Sequence, residues 1–243
     1  MPAETTVAHT GGMDSRAHGE AIASVAAVIA DGSRATMLLA LLDGRAWTAT
    51  ELAVHTGIAR STTTEHLHAL AAAGFIEERY QGRHRYVRLA GESTAKLLEL
   101  LGLSAPPPPA PQSLTSARID RATREARSCY NHIAGVLGVG IYDGMIARGY
   151  LETAGSLHLT AAGEEWCAEF GIDTSELARA KRPTLLPCLD WTERREHLAG
   201  GLGTELLARS LAKGWVERIT GSRALRVTAA GRNGFASRLG VVV

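Results

Sequence analysis

The residues best suited to chemistry are two cysteine–histidine pairs in the second half of the chain. Cys129 precedes His132 by three residues, a spacing that predicts one face of a helix, and Cys188 precedes His197 further on. Thiolate and imidazole are the ligands that soft and borderline metal ions prefer, so the four groups could hold one ion with tetrahedral geometry. The pairs therefore form a candidate metal site.

Three other roles for these residues stay open. Each histidine could cap or pack its own helix while the cysteines act as small buried apolar groups. A thiolate near Arg127 or His132 could have a lowered pKa and serve as a reversible redox switch. A small organic effector could instead occupy a pocket between the two halves of an internal repeat described below, lined by aromatic side chains. Those aromatic residues are Tyr130, Tyr142, Trp191 and Trp215. The candidate effector-binding residues are Cys129, His132, Cys188, Trp191 and His197.

Catalysis is a further use of a thiol beside an imidazole, as nucleophile and base. No orienting acid, glycine elbow or phosphate-binding loop accompanies Cys129 and His132 in a recognisable order. We therefore expect no catalytic residues and predict that the protein is not an enzyme.

Composition limits the possible classes of protein. The 243 residues are 45% hydrophobic and 21% charged, which is typical of a globular chain of one or two domains and excludes disorder, collagen and a disulfide scaffold. Lysine and arginine total 26 against 25 acidic residues, so any site for a polyanion must be local. Three cysteines, no secretory start and no apolar run of membrane-spanning length predict a cytoplasmic protein without a membrane partner.

Helices dominate the first half of the chain, after a predicted disordered tail at residues 1–13. Ser33 is expected to cap the second helix and Thr50 the third, which must end at Gly57. After a short turn, residues 61–73 form the next predicted helix. These last two helices, joined by a tight turn, are typical of a helix-turn-helix.

A β-hairpin with a basic tip follows the helix-turn-helix. Gly74 ends the preceding helix, and the alternating pattern after it predicts two strands whose connecting tip carries Arg83, His84 and Arg85. A leucine-rich helix over residues 92–103 then carries more apolar surface than one small domain can hide. This surface predicts a homodimer seam.

Four consecutive prolines mark residues 104–113 as an extended linker. The linker separates a domain at 14–103 from a C-terminal region at 114–243. The predicted helix after the linker is rich in arginine, at Arg118, Arg121, Arg124 and Arg127.

The C-terminal region contains an internal duplication. His132-Ile-Ala-Gly135 recurs 65 residues later as His197-Leu-Ala-Gly200, and Leu159-Thr-Ala-Ala-Gly163 matches Val227-Thr-Ala-Ala-Gly231. The order of helix, glycine and strand predicts two winged-helix-like repeats behind one complete winged helix, in a mainly α fold with small β-hairpins (α+β). The repeats span about residues 129–172 and 188–241.

The helix over residues 61–73 carries the features of a DNA-recognition helix. If Thr63, Leu67 and Leu70 face the core, the opposite face presents hydroxyl, carboxylate and imidazole groups that can bond base edges or phosphates. The basic hairpin tip would lie along the backbone or the minor groove. The candidate DNA-binding residues are Arg60, Ser61, Thr62, Thr64, Glu65, His68, Arg83, His84 and Arg85.

Five motifs of the first half occur in a recognisable order. They are Asp31-Gly32-Ser33-Arg34, Thr50-Glu51-Leu52-Ala53, Ser61-Thr-Thr-Thr-Glu-His66-Leu67, Gly74-Phe75-Ile76 and Arg83-His84-Arg85-Tyr86. Together they resemble the DNA-binding domain of ArsR-type winged-helix regulators over about residues 15–103. The resemblance implies a dimer joined through its first and last helices that binds an operator of imperfect two-fold symmetry, usually as a repressor released by an effector.

The chain departs from that family at its usual metal-binding positions. Metal-sensing members keep cysteines on the first helix of the motif, or histidine and acidic ligands on the last helix. The corresponding stretches here, Glu51-Leu-Ala-Val-His55 and 93–100, contain neither a thiol nor a histidine cluster.

We therefore expect a sequence-specific transcriptional regulator, a dimeric repressor that binds a double-stranded operator and senses an effector through its C-terminal half. The cofactor is open between a metal ion and a small organic effector. One alternative is a protein-interaction module of winged helices without DNA binding. Another is a thiol- or metal-dependent sensor that uses Cys129, His132, Cys188 and His197.

Overall fold

A computed structural model describes residues 15–82, 84–106, 110 and 113–243. The predicted tail at 1–13, the tip residue Arg83 and part of the predicted linker lie outside these residues. The described chain packs around two large hydrophobic cores, one formed before the proline run and one after it. We call the corresponding parts the N-terminal unit, residues 15–104, and the C-terminal unit, residues 113–243.

The N-terminal unit is a winged helix-turn-helix, with five helices around a three-stranded antiparallel sheet of order β1-β3-β2. The predicted hairpin, β2-β3, is present, and the short strand β1, which the sequence pattern did not predict, pairs with β3. The helices are α1 (Ser15–Ile29), α2 (Gly32–Leu41), α3 (Ala49–Thr56), α4 (Arg60–Ala72) and α5 (Glu92–Ser104), and the strands are β1 (Trp47–Thr48), β2 (Ile76–Gln81) and β3 (His84–Leu89).

Two predicted helix caps are wrong by two residues. Asp31, not Ser33, begins α2, because its side chain accepts a hydrogen bond from the backbone N–H of Arg34. Thr48, not Thr50, begins α3, where it forms a reciprocal capping box with Glu51. In both cases the N-cap is the residue whose side-chain oxygen accepts from the third backbone N–H of the helix. The predicted end of α3 at the left-handed Gly57 is confirmed.

The C-terminal unit consists of helices and two-stranded antiparallel hairpins. Its first helix ends before Arg127, so this residue does not continue the arginine-rich helix as predicted but begins a buried strand. The helices are α6 (Leu114–Glu125), α7 (Gly135–Ala147), α8 (Ala161–Phe170), α9 (Thr174–Arg179), α10 (Gly200–Ala212) and α11 (Ala229–Leu239), and the strands are β4 (Arg127–Cys129), β5 (His132–Ala134), β6 (Leu151–Glu152), β7 (His158–Leu159), β8 (Leu186–Leu189), β9 (Glu196–Ala199), β10 (Val216–Arg218) and β11 (Leu225–Val227).

The duplicated segments have the same order of elements. Each contains a hairpin, a glycine-rich helix, a second hairpin and a further helix: β4-β5-α7-β6-β7-α8 in the first copy and β8-β9-α10-β10-β11-α11 in the second. A hairpin thus stands where a winged helix would have the first helix of its motif. The copies exchange contacts, since α7 packs against β9 and α10 packs against β5.

The two units contact each other through the loop after α2. The backbone N–H of Tyr130 donates to the carbonyl of Leu42 at 2.7 Å, and Arg218 Nη1 donates to the carbonyl of Asp43 at 3.1 Å. Gly44 has φ 75°, and a Cβ at this position would lie 2.0 Å from the carbonyl oxygen of Tyr130. The close approach therefore requires glycine.

Within the described residues, no single helix is long and apolar enough to cross a membrane. α1 and α2 meet that length and composition only as a pair, bent by 81°.

Candidate functional site

The second helix of the helix-turn-helix presents a polar face to solvent. α4 buries Thr63, Leu67 and Leu70 completely. The side chains on the other side are accessible, as the helical spacing predicted. Ser61, Glu65, His68 and Arg60 are exposed, and Thr62 and Thr64 are half-buried on the flanks.

The wing is attached to this face by Arg85, which lies on β3. Its guanidinium forms an ion pair with Glu78 on β2, and Nη1 lies 3.2 Å from Nε2 of His68 on α4. The charge of Arg85, one of the residues predicted at the wing tip, is therefore partly neutralised and lies between the wing and α4. His84 is exposed at the start of β3.

The two cysteine–histidine pairs form one buried cluster. Cys129 lies directly across from His132 in the β4-β5 pair, and Cys188 lies directly across from His197 in the β8-β9 pair. One ligand atom from each residue lies within 4.8 Å of the others, and the two histidine Nε2 atoms are 3.0 Å apart. The prediction that Cys129 and His132 share a helix face is wrong, because Tyr130 with φ 59° closes a tight hairpin between them.

A buried carboxylate lies behind the cluster. Asp190 Oδ2 is 3.7 Å from Nδ1 of His197 and accepts from the backbone N–H of Gly135 at 2.7 Å. Its other oxygen accepts from Arg127 Nη2 at 2.8 Å and from Thr192. Burial opposes ionisation of Asp190, but the guanidinium and these hydrogen bonds outweigh it and hold the pKa well below its usual range.

The pair of Arg127 and Asp190 reaches the N-terminal unit. Arg127 is fully buried, and its Nη2 lies 4.0 Å from Oε2 of Glu99 on α5. Arg223 Nη1 binds the other oxygen of Glu99 at 2.9 Å. A line of buried charges therefore joins the cluster to α5.

Comparisons with known proteins cover both units. A family model described as a helix-turn-helix domain matches residues 29–79. The chain is 35% identical over 223 residues to the HTH-type transcriptional regulator YdfF of Bacillus subtilis, covering 91% of this chain and 98% of the relative. The chain belongs to the ArsR-type HTH transcriptional regulators.

Other relatives of this ArsR-type regulator match its N-terminal unit. The HTH-type transcriptional regulator CmtR of Mycobacterium tuberculosis is 36% identical over 78 residues, which cover 32% of this chain and 65% of the relative. The solution structure of the homodimeric winged helix-turn-helix DNA-binding domain of Mb0332 from Mycobacterium bovis, a possible ArsR-family regulator, is 31% identical. It covers 40% of this chain and 89% of that chain, with a TM-score of 0.35.

The thiol chemistry of this ArsR-type regulator differs from one expectation. A hydrogen bond with Cys188 and complete burial raise the pKa of Cys129 to about 12. The redox hypothesis required a lowered pKa near Arg127 or His132, and that requirement is contradicted. The guanidinium of Arg127 is already bound to Asp190.

The aromatic side chains expected to line one effector pocket of the ArsR-type regulator are dispersed. Tyr130 packs against the core of the N-terminal unit, whereas Trp215 lies between Phe170 and Phe235 in the other core. Trp191 lies over the guanidinium of Arg127, at 5.2 Å. The shared aromatic pocket is therefore contradicted.

Sequence reasoning missed the residues that support the cluster. Asp190 is a charged residue between Leu189 and Trp191, and a carboxylate in an apolar run was a signal of a buried partner. Glu99 occurs in a leucine-rich helix and offered the same signal. Their common partner, Arg127, was predicted to lie on the arginine-rich helix after the linker instead.

Proposed function

We propose that this regulator is a homodimeric repressor that places α4 in the major groove of its operator, with the β2-β3 wing against the neighbouring backbone. Its C-terminal unit would respond to an effector. The observation that carries the proposal is the exposed polar face of α4, where Ser61, Glu65 and His68 are accessible together. A hydroxyl on such a face can donate to or accept from base edges, and a carboxylate can accept from a base amine.

The start of α4 supports a phosphate contact. Its N-cap residue, Ala59, makes no side-chain capping bond, so the first-turn N–H groups lack the partner that Thr48 supplies to α3. Arg60 is exposed at the same position. Free N–H groups, the helix dipole and an adjacent guanidinium all favour a backbone phosphate.

The wing contributes charge to the same surface. Arg85 lies between α4 and the wing, and an approaching phosphate would compete with Glu78 for its guanidinium. Arg88, on the same strand, is bound to Glu77 instead. The alternation of side chains along β3 places these two arginines on opposite faces of the strand. Arg88 therefore serves as a matched control.

Dimerisation is supported by apolar surface on the outer helices. No side chain of α1 is fully buried within the chain, although Val28 and Ile29 at its end pack against the core, and Ile22 and Val25 are 57% and 46% exposed. On α5, Leu100 and Leu101 are 45% and 42% exposed. A second copy of this chain would cover both helices and bring two α4 helices to successive half-sites.

DNA binding is tested with a duplex selected from a random-sequence pool by the full chain, followed by titration at several salt concentrations. For Arg60→Ala we expect weaker binding to all sequences and a slope of log K against log salt that is smaller by about 1. Arg85→Ala should also weaken binding, whereas Arg88→Ala and Arg209→Ala on α10 should not. Failure to enrich any duplex would instead favour the protein-interaction module.

Dimerisation and repression have separate tests. Leu101→Glu should convert the dimer to a monomer in sedimentation equilibrium, whereas Leu114→Glu on α6 should leave it a dimer, although Leu114 is 87% exposed. Transcription in vitro from a promoter that overlaps the selected duplex should fall when the protein is added. An increase in transcript would identify an activator.

A further inference from the structure

We infer that Cys129, His132, Cys188 and His197 bind one zinc-class divalent ion, which fastens the two repeats to each other and to α5. These residues lie outside the helix-turn-helix and provide two imidazoles and two cysteine sulfurs, whose protons are released when a metal binds. That ligand set is the one that tetrahedral Zn²⁺ and Co²⁺ sites use.

The duplication explains why the four ligands meet. Each copy provides one hairpin with a cysteine directly across from a histidine. The helices that support the hairpins can approach only at glycine. A Cβ at Gly138 would lie 2.4 Å from the carbonyl oxygen of Ile133, and a Cβ at Gly203 would lie 2.3 Å from that of Leu198. The same two glycines face the histidine of the other copy, since a Cβ would lie 3.6 Å from Cβ of His197 at Gly138 and 3.1 Å from Cβ of His132 at Gly203. The two copies therefore hold equivalent histidines face to face.

The ring nitrogens that would bind the ion are the two Nε2 atoms. Nδ1 of His132 lies 3.3 Å from Oδ1 of Asn131, and Nδ1 of His197 lies 3.7 Å from Oδ2 of Asp190. An outer oxygen that accepts from Nδ1 is the usual arrangement for a metal-binding histidine, since it fixes the tautomer that leaves Nε2 free. The His132 contact is within hydrogen-bonding distance, whereas Nδ1 of His197 has no hydrogen-bond partner among the described residues and would take Asp190 as its partner after a small approach.

The dimensions fit a tetrahedral ion after small shifts, in which the two histidine nitrogens move apart and the wider ligand pairs close. Bonds of about 2.1 Å to nitrogen and about 2.3 Å to sulfur imply ligand separations of about 3.4–3.8 Å. The ligand atoms lie within 4.8 Å of one another, and the two histidine nitrogens are 3.0 Å apart. Shifts of about 1 Å would therefore complete the coordination shell.

The site is closed to substrates. Exposures of 1% for Cys129, 2% for His132, 7% for Cys188 and 0% for His197 leave little access from solvent. Four protein ligands leave no open coordination position, so the ion would serve structure or regulation and not catalysis.

The cover of the site belongs to the DNA-binding unit. Glu92, Ala95 and Lys96 of α5 line the small cavity that Cys129 and Cys188 also line. The second connection runs from His197 through Asp190 and Arg127 to Glu99, also on α5. Metal binding would therefore fix the position of α5 and change DNA affinity, a consequence that rests on the proposed function.

Metal binding is tested on the full chain, purified without chelator. We expect one Zn²⁺ per chain by elemental analysis and, after exchange, the visible and thiolate charge-transfer absorption of tetrahedral Co²⁺. Cys129→Ala and Cys188→Ala should abolish both signals. Cys167→Ala is the matched control, because Cys167 is equally buried but lies in the large core of the C-terminal unit.

Three results would overturn the metal site. They are a wild-type chain that takes up neither Zn²⁺ nor Co²⁺, undiminished uptake in both cysteine variants, and a purified chain whose mass shows Cys129 joined to Cys188. If a variant fails to fold by circular dichroism, the wild-type Co²⁺ spectrum and the melting temperatures of metal-free and Zn²⁺-loaded wild type decide the question. Loading should raise the melting temperature.

Coupling to DNA is measured as the ratio of dissociation constants for the selected duplex, metal-free against Zn²⁺-loaded. We expect a change of at least about 5-fold. Glu99→Gln should keep one Zn²⁺ per chain but bring this ratio toward one. A ratio of one in a wild-type chain that binds Zn²⁺ would refute the coupling to DNA, but the metal site itself would still stand. Absence of duplex binding in both states would refute the proposed function and the coupling together, while the metal data stand separately.

Discussion

Replacing Asp190 by asparagine should destabilise the protein severely without removing a large side chain. The Asp190 carboxylate accepts hydrogen bonds from Arg127, from Thr192 and from the backbone N–H of Gly135. Each group within hydrogen-bonding distance of its oxygens is a donor. Asparagine keeps one acceptor oxygen but turns an NH₂ group toward donors. It also removes the charge that compensates the fully buried guanidinium.

Breaking a buried ion pair by removal of one partner costs about 3–5 kcal/mol. Glu99 remains 4.0 Å from the guanidinium and offsets part of the loss, so we expect a value near 3 kcal/mol. With an unfolding slope of about 2 kcal/mol per molar urea, the midpoint should fall by about 1.5 M.

The assay is urea unfolding followed by circular dichroism in the presence of a chelator, so that metal binding does not contribute. Asp143→Asn is the control, since Asp143 forms an ion pair with Arg195 at 2.7 Å but the two side chains are 41% and 61% exposed. That change should cost about 0–1 kcal/mol. Equal losses for Asp190→Asn and Asp143→Asn would refute the claim that burial makes the first pair important.

The stability that Asp190 contributes should also depend on pH. Because folding lowers the pKa of Asp190, its ionised form contributes stability above the unfolded pKa of about 4, and that contribution is lost as pH falls through the lower folded value. The difference between wild type and Asp190→Asn should therefore be constant above about pH 5 and shrink only in stronger acid. A difference that shrinks between pH 7 and 5 would contradict this assignment.

Two further substitutions, each with a matched control, test the fold. Thr48→Ala should lower the free energy of unfolding by about 1 kcal/mol because it removes the capping box, whereas Thr50→Ala should change it by less than about 0.5 kcal/mol. A larger loss for Thr50→Ala would show that Thr50 caps the helix, as the sequence predicted. Gly44→Ala should lower the free energy of unfolding, measured by calorimetry, by about 3 kcal/mol because its Cβ would overlap the carbonyl of Tyr130, whereas Gly57→Ala, with a similar φ but open space, should lower it by about 1 kcal/mol. Equal losses would show that the contact between the two units is not tight.

The helix-turn-helix was predictable because its signals are local. Apolar residues three and four apart placed the buried face of α4, and Gly57 and Gly74 marked helix ends. The cap positions were less predictable. Several hydroxyl and carboxylate residues stand near each helix start, and only backbone geometry decides which oxygen reaches the third N–H.

The β4-β5 hairpin was not predictable from such signals. Its strands are three residues long, and its turn is Tyr130-Asn131, without the glycine that usually marks a tight hairpin. With no turn signal, the spacing of Cys129 and His132 favoured a helix. The left-handed conformation of Tyr130 is maintained by tertiary contacts, including its backbone hydrogen bond to Leu42.

Patterns in the sequence thus determined α4, the β2-β3 wing and the duplication. Helical spacing and strand alternation are properties of neighbouring residues, and a repeat is found by comparing the sequence with itself. Tertiary structure alone decided that two equivalent cysteine–histidine pairs share one buried volume and that Arg127 connects them to α5. The two histidines lie 65 residues apart in the chain and the two cysteines 59, and only the packing of each copy's helix on the other copy's hairpin brings them together. No local pattern carries that long-range packing.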